Sequence, residues 1–142
     1  MADIKHSIQT SATPQQVYAL VTTAKGFGQW WATDITEPNG TIDLGFFKRA
    51  TVYRLRLVKE QPPIHADWVC ESGDEWNGTH ILFDLETTQS GTLIKFTHAG
   101  WRAESAYFMS CNTTWGELMF RVKAAAEGRA TGPLFTADGW VA

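Results

Sequence analysis

The chain contains little cysteine and no large excess of charge of either sign. Its two cysteines, Cys70 and Cys111, stand alone and form no Cys-x-x-Cys pair, so the sequence predicts neither a disulfide framework nor a thiolate metal site. Lys and Arg number 12 against 15 Asp and Glu, a formal net charge of −3, which gives no electrostatic reason to bind a nucleic acid. These shortages favour a reduced, cytoplasmic protein without a nucleic-acid partner.

Long apolar runs and metal-ligand spacings are also missing. No stretch approaches the roughly 20 apolar residues of a membrane-spanning helix, and the start of the chain lacks the apolar core of a signal peptide. The four histidines, at positions 6, 65, 80 and 98, show none of the local spacings of a zinc site. Neither a glycine-rich phosphate loop nor a nucleophile-elbow serine is present. We therefore expect no membrane span, no metal, no cofactor and no covalent catalysis.

Aromatic side chains, by contrast, are plentiful. Seven Trp and eight Phe in 142 residues need apolar surroundings, either in a core or at a contact surface. The length fits one domain. We place that domain at residues 1–128 and expect a C-terminal tail, residues 129–142, to dock on the domain or on a partner subunit through Phe135 and Trp140.

The N-terminal third predicts one strand followed by two short helical segments. Ile4 to Ile8 alternate between apolar and polar residues, as in a strand with one buried face. Thr13 then fits a helix N-cap, with proline next and Gln16 at the third helical position. Gly26 and Gly28 are expected to end this helix in a tight turn, after which residues 29–31 form a second helical turn.

The rest of the chain predicts strands and then one long helix. From about residue 33 to residue 98, apolar and polar residues alternate in several short runs, most clearly at Tyr53, Leu55 and Leu57. From Glu104 to Glu127 apolar residues recur every three or four positions, as on one face of a helix. The predicted fold is therefore α+β: a curved antiparallel sheet of six or seven strands wrapped around a long C-terminal helix.

Four short motifs in this order resemble one superfamily. They are the glycine-aromatic segment 26–31, the segment 58–63 that ends in two prolines, the strand 91–101 with its His-Ala-Gly-Trp end, and residues 115–118. Residues 4–127 resemble the START-like (SRPBCC, helix-grip) superfamily, and within it the C-terminal domain of activators of the heat-shock protein 90 ATPase. The resemblance implies a fold that encloses a cavity, but its members include ligand binders, polyketide cyclase-like enzymes and co-chaperones, so the fold alone does not fix the function.

A helix lying across the concave sheet brings inward aromatic residues of both together. Such a mostly apolar set with a few polar groups is typical of a small-molecule pocket. The candidate ligand-binding cavity consists of Trp30, Trp31, Tyr53, Trp68, Phe83, Phe96, His98, Phe108, Cys111, Asn112 and Trp115. A completely filled aromatic core is the competing interpretation, since an empty 300 Å³ void would cost on the order of 7 kcal/mol.

Three functions remain open from the sequence. The favoured one is a binding protein for a small hydrophobic or aromatic molecule. The second is an interaction protein that forms a homodimer or contacts a heat-shock-protein-90-type chaperone through Trp76, Phe135 and Trp140, with the chaperone as the weaker form. The third is a cyclase-like enzyme that uses His98 as acid or base. No second residue forms a catalytic pair with His98 by spacing, so we assign no catalytic residue.

Overall fold

The computed structural model describes residues 1–129, 131–137 and 139–140. In this part of the chain one sheet has seven antiparallel strands and a small separate hairpin has two. The strands of the large sheet are β1 (Ala2–Thr10), β2 (Asp34–Thr36), β3 (Ile42–Phe46), β4 (Thr51–Gln61), β5 (His65–Cys70), β6 (His80–Thr88) and β7 (Gly91–Trp101). The small hairpin pairs β8 (Phe135–Thr136) with β9 (Gly139–Trp140). The predicted α+β helix-grip fold is confirmed, with the higher of the two expected strand numbers.

In the large sheet, strands β2 to β7 lie side by side in chain order, and the first strand is added next to the last. Its strand order is β1-β7-β6-β5-β4-β3-β2, so β1 lies at one edge beside β7, and β2 lies at the other. Along β6 and β7, Ile81 pairs with His98 and Phe83 with Phe96. Because side chains alternate between the two faces of a strand, these residues fall on the same inward face.

Three helices complete the fold: α1 (Pro14–Val21), α2 (Ala24–Trp30) and α3 (Ala106–Ala126). The predicted start of α1 is confirmed, because Thr13 accepts a hydrogen bond from the Gln16 backbone and the Gln16 side chain accepts one from Thr13. Helix α3 packs its apolar side over the inward face of the sheet. At its end, Glu127 accepts hydrogen bonds from Thr10 and from the backbone of Ser11, which ties α3 to β1.

The predicted turn at Gly26 and Gly28 is wrong. The chain breaks at Thr22–Thr23 instead, where Thr23 caps a new helix that runs through both glycines. A Cβ at Gly26 would lie 2.5 Å from the backbone oxygen of Ala19. The glycine is therefore needed for close packing of α2 on α1, and a pattern-based interpretation cannot distinguish that role from a turn.

The tail packs along the domain in the described residues. The backbone nitrogens of Leu134 and Phe135 donate to the carbonyls of Trp30 and Trp31, at 3.2 and 3.0 Å. The Phe135 ring lies edge-on to Phe46, with centroids 5.0 Å apart. This geometry places a tail ring against the end of β3. The side chain of Trp140, the second predicted anchor, lies outside the described residues, and the boundary at residue 128 stays a prediction.

Candidate ligand cavity

The middle of the molecule is a filled aromatic core. Phe96 lies between Phe83 and Trp115, with ring centroids 5.4 and 4.3 Å away. The indole nitrogens of Trp30 and Trp68 donate to backbone carbonyls of α1, at 2.9 and 3.0 Å. Four residues that the sequence placed on the cavity wall, Trp30, Trp68, Phe83 and Phe96, therefore lie in this core instead. The cause is steric: their rings occupy the space between the sheet and the helix where the cavity was expected.

His98 also belongs to this core and has both ring nitrogens engaged. The indole N–H of Trp115 donates to Nδ1 at 3.1 Å, so Nδ1 carries no hydrogen and Nε2 must carry it. Nε2–H then donates to Thr79 Oγ1 at 2.8 Å, and Thr79 donates to the Trp76 carbonyl at 2.6 Å. Burial lowers the pKa of His98 to about 3. His98 is therefore a neutral residue that connects α3 to the loop before β6, and it lies outside the cavity wall.

An open cavity of about 100 Å³ remains beside this core. It lies between the N-terminal half of α3, strands β3 and β4, the loop that connects β5 to β6, and the tail. Its wall is formed by Trp31, Phe46, Phe47, Thr51, Tyr53, Trp76, Tyr107, Ser110, Cys111, Thr114, Trp115, Leu118 and Phe135. Of the residues named from the sequence, this wall includes Trp31, Tyr53, Cys111 and Trp115.

The last two predicted lining residues point elsewhere. Phe108 is buried against Trp101, with the two rings edge to face and 5.3 Å apart. Asn112 is exposed on the side of α3 that faces β1, where its side chain makes a 2.9 Å hydrogen bond to His6. At about 100° per residue, the α3 residues of the wall span an arc of about 140° around the helix, and Asn112 lies about 60° beyond the edge of that arc.

The loop between β5 and β6 supplies the wall that sequence patterns did not reveal. Trp76 is only 5% exposed, and its ring stacks on Tyr53 at 3.9 Å with an angle of 8° between the planes. Gly73, with φ +91°, permits this approach, because a Cβ there would lie 2.6 Å from the Tyr53 ring. The loop folds inward, so Trp76 is not the exposed docking residue that the sequence suggested. Phe135 is also buried, so it cannot form part of the exposed docking surface that was predicted for Trp76, Phe135 and Trp140.

Two partly exposed rings, Phe47 and Tyr107, mark the mouth of the cavity. The Tyr107 hydroxyl lies 2.5 Å from that of Tyr53, so the pair forms a bridge across α3 and β4. Beyond this bridge a wider polar depression of about 470 Å³ includes Asp74 and Glu75. The cavity thus has apolar inner walls and a polar rim at one end.

The ionisable groups of the wall stay neutral near pH 7. Burial raises the pKa of Tyr53, and it raises the pKa of Tyr107 to about 12. Burial also raises the pKa of the Cys111 thiol, against smaller opposing effects of the Trp76 and Tyr107 side chains. The wall therefore provides neither a thiolate nor an ionised acid or base near pH 7.

Nine lining residues were missed: Phe46, Phe47, Thr51, Trp76, Tyr107, Ser110, Thr114, Leu118 and Phe135. Four of them had a signal in the sequence. Tyr107, Ser110, Thr114 and Leu118 follow one another at intervals of three or four residues and so share a helix face. That face lies beside the strongly apolar one, and its Ser and Thr made it resemble a solvated side.

Metal and membrane sites are not found in the described ranges. No group of three or more His, Cys, Asp or Glu side chains is arranged to hold a metal ion there. None of the helices in those ranges is long and apolar enough to cross a bilayer. Three arginines on β4 and in the turn before it are paired with acids: Arg49 with Asp34, Arg54 with Asp43, and Arg56 with Glu71.

Residues 11–127 match the family model described as "Activator of Hsp90 ATPase homolog 1-like protein". This match covers more than half of the chain. The chain belongs to this family. The matched range begins after β1 and ends one residue after α3, so it contains most of the core, both short helices and most of the cavity wall, whereas Phe135 lies outside it. Among curated proteins, none matches the chain.

Solved structures of similar proteins show the same fold. The chain is similar to the protein in the solution structure of the Aha1 dimer from Colwellia psychrerythraea, with 30% identity and a TM-score of 0.80 over 91% of this chain and 98% of that one. A Staphylococcus saprophyticus protein has 15% identity and a TM-score of 0.73, with 94% and 98% of the two chains covered. A Mesorhizobium loti protein has 12% identity and a TM-score of 0.76, with 90% and 98% covered. The last two support the fold alone.

Proposed function

We propose that this protein binds a small apolar or aromatic molecule in the cavity between α3, β3, β4 and the loop of Trp76. The observation that carries the proposal is a space of about 100 Å³ left open, with an accessible mouth, beside a core packed with aromatic rings. At about 24 cal/mol per Å³, such a space costs about 2 kcal/mol when it is empty. That cost is tolerable within a typical stability, and a ligand would offset it.

Binding is better supported than catalysis. The Cys111 thiol and the tyrosines of the wall are held neutral, and His98 stands outside the wall with both nitrogens hydrogen-bonded. An acid or base needs a proton-accepting or proton-donating atom within reach of the substrate. A cyclase-like reaction through His98 would require breaking this chain of hydrogen bonds, so we keep it as the weaker alternative.

Filling the cavity is expected to abolish binding. The variant Cys111→Phe places a ring in the cavity, whereas Met109→Phe adds the same ring on the exposed face of the same helix, where Met109 is 59% exposed. With toluene as the probe and amide chemical shifts as the readout, we expect saturable shifts in the wild type and in Met109→Phe, and none in Cys111→Phe. Equal toluene binding by both variants would contradict the site.

Self-association is a second proposal, and it uses the outer face of α3. Met109 and Phe120 lie on that face and are 59% and 66% exposed. Two residues eleven positions apart on a helix point in nearly the same direction and lie about 16 Å apart along its axis. The side chains of Met109 and Phe120 therefore face the same side. The similar Colwellia psychrerythraea protein was solved as a dimer. We propose a second copy of this chain as the occupant of this face, rather than a chaperone.

Light scattering on the intact chain tests the self-association proposal. We expect a dimer whose dissociation constant rises at least tenfold in Phe120→Glu, because a buried, unpaired carboxylate is costly at an interface. The control is Tyr107→Phe, which changes a side chain at the cavity mouth and not on this face. A monomer at high concentration, or a dimer that Phe120→Glu leaves unchanged, would overturn this assignment.

A further inference from the structure

Two buried indole N–H groups, those of Trp76 and Trp101, have no hydrogen-bond acceptor in the part of the chain that the structure describes. Such donors are rare in folded proteins, since a buried N–H without a partner costs about 1 to 3 kcal/mol. The two differ in their surroundings. Trp101 lies in the closed core against Phe108, whereas Trp76 is part of the cavity wall. Of the two, only Trp76 therefore belongs to the wall of a space that a ligand can enter.

The groups around the Trp76 nitrogen do not satisfy it. The Cys111 thiol lies beside the indole, close enough for the indole to oppose the burial-driven rise of the thiol pKa, but sulfur is a weak acceptor. Tyr53 stacks flat on the Trp76 ring and directs its hydroxyl to Tyr107. In that pair one hydroxyl donates and the other keeps its own hydrogen. The Trp76 N–H is therefore a donor without a strong acceptor among the groups that surround it.

The charge of the wall further restricts the class of ligand. Its thirteen residues include no Lys, Arg or His, so an anionic ligand would enter without a counter-charge. Transfer of an isolated carboxylate out of water is far more costly than transfer of a neutral carbonyl group. The aromatic walls formed by Trp31, Phe46 and Trp115 favour a flat body.

We propose that the cavity selects a neutral, flat molecule with a carbonyl-type oxygen, and that this oxygen accepts a hydrogen bond from Trp76 Nε1–H. This inference rests on the proposed binding function and specifies its ligand class. It also gives Trp76 a positioning role: the stack on Tyr53 holds the loop closed and aims the indole, while the Thr79 bond to the Trp76 carbonyl fixes the backbone behind it.

A matched pair of probes tests the inference. Acetophenone and α-methylstyrene have the same shape, but only the first has an acceptor oxygen. We expect acetophenone to bind the wild type about threefold to tenfold more tightly, the usual range for one net hydrogen bond. We also expect one indole N–H proton resonance to move downfield with acetophenone alone. In Trp76→Phe, which keeps a ring on Tyr53, that resonance should be missing and the two probes should bind equally.

The outcomes separate the inference from the proposed function. Equal affinity of both probes for the wild type, with no selective indole shift, would overturn the carbonyl proposal and leave the cavity as a ligand site. The same would follow if Trp76→Phe kept the preference for acetophenone. Binding of neither probe would refute both the inference and the proposed function. If Trp76→Phe does not fold, the wild-type indole shift and the ratio of the two affinities still decide.

Discussion

Replacing Trp115 by alanine is expected to lower the free energy of unfolding by about 3 to 5 kcal/mol, the usual cost of deleting a buried large ring. Trp115 is almost fully buried and touches both the core and the cavity: its ring lies 4.3 Å from Phe96 and 5.0 Å from Trp31. The change also removes the donor to His98 Nδ1 and leaves a buried acceptor without a partner. Urea unfolding followed by circular dichroism measures the loss.

Two variants show what the large effect depends on. Phe120→Ala removes an exposed ring from the same helix, so the free energy of unfolding should change by no more than about 0.5 kcal/mol, measured at a protein concentration where the chain is monomeric. Trp115→Phe keeps a ring but loses the N–H, and an intermediate loss is expected. If Trp115→Ala lowered the free energy of unfolding as little as Phe120→Ala, the close packing of α3 on the sheet described here would be contradicted.

Acid is expected to destabilise the protein through His98. The pKa of this side chain is lowered by burial from 6.5 to about 3 in the folded protein, so the unfolded chain binds a proton more readily. Its contribution is therefore fully present above pH 6.5 and is lost as the pH falls towards the folded value. At about 1.4 kcal/mol per pH unit, acidification from pH 7 to pH 4 should cost roughly 3 kcal/mol through this group.

The variant His98→Gln isolates this effect from other titrations. Glutamine cannot take up a proton, yet it offers one donor and one acceptor to the Thr79 and Trp115 neighbours. Carboxylates such as Asp43 and Glu71 have pKa values lowered by neighbouring arginines. Their protonation in acid lowers the stability of the wild type and of the variant alike. We therefore expect the wild type to lose more stability than His98→Gln between pH 7 and pH 4. Parallel pH profiles would show that His98 is not the buried neutral residue described here.

Sequence patterns predicted the fold because its elements follow simple periodicities. The alternation at Tyr53 and Leu55 and the three-to-four spacing from Phe108 to Val122 each report a buried face, and a capping threonine marks the first helix. The same rules failed at Gly26, where the glycine serves close packing between helices instead of a turn. A glycine has both uses, and the sequence alone does not distinguish them.

The cavity was harder to predict because its position depends on which inward side chains meet. Phe83 and Phe96 point inward as expected, but their rings touch and leave no space. The open volume lies instead where Thr114 and Ser110 form one wall and a loop tryptophan closes another. Nothing in the local sequence of residues 74–78 shows that Trp76 folds back onto Tyr53; that contact joins residues 23 positions apart.

The central claim is that a small flat molecule occupies the cavity beside Trp76, and intermolecular nuclear Overhauser effects from bound acetophenone test it most directly. We expect contacts from the ring and methyl protons of acetophenone to Tyr53, Trp76 and Leu118, which come from three separate elements of the wall. Contacts to Phe120 and Met109 on the outer face of α3, without any to those three residues, would contradict it. So would the absence of any saturable contact.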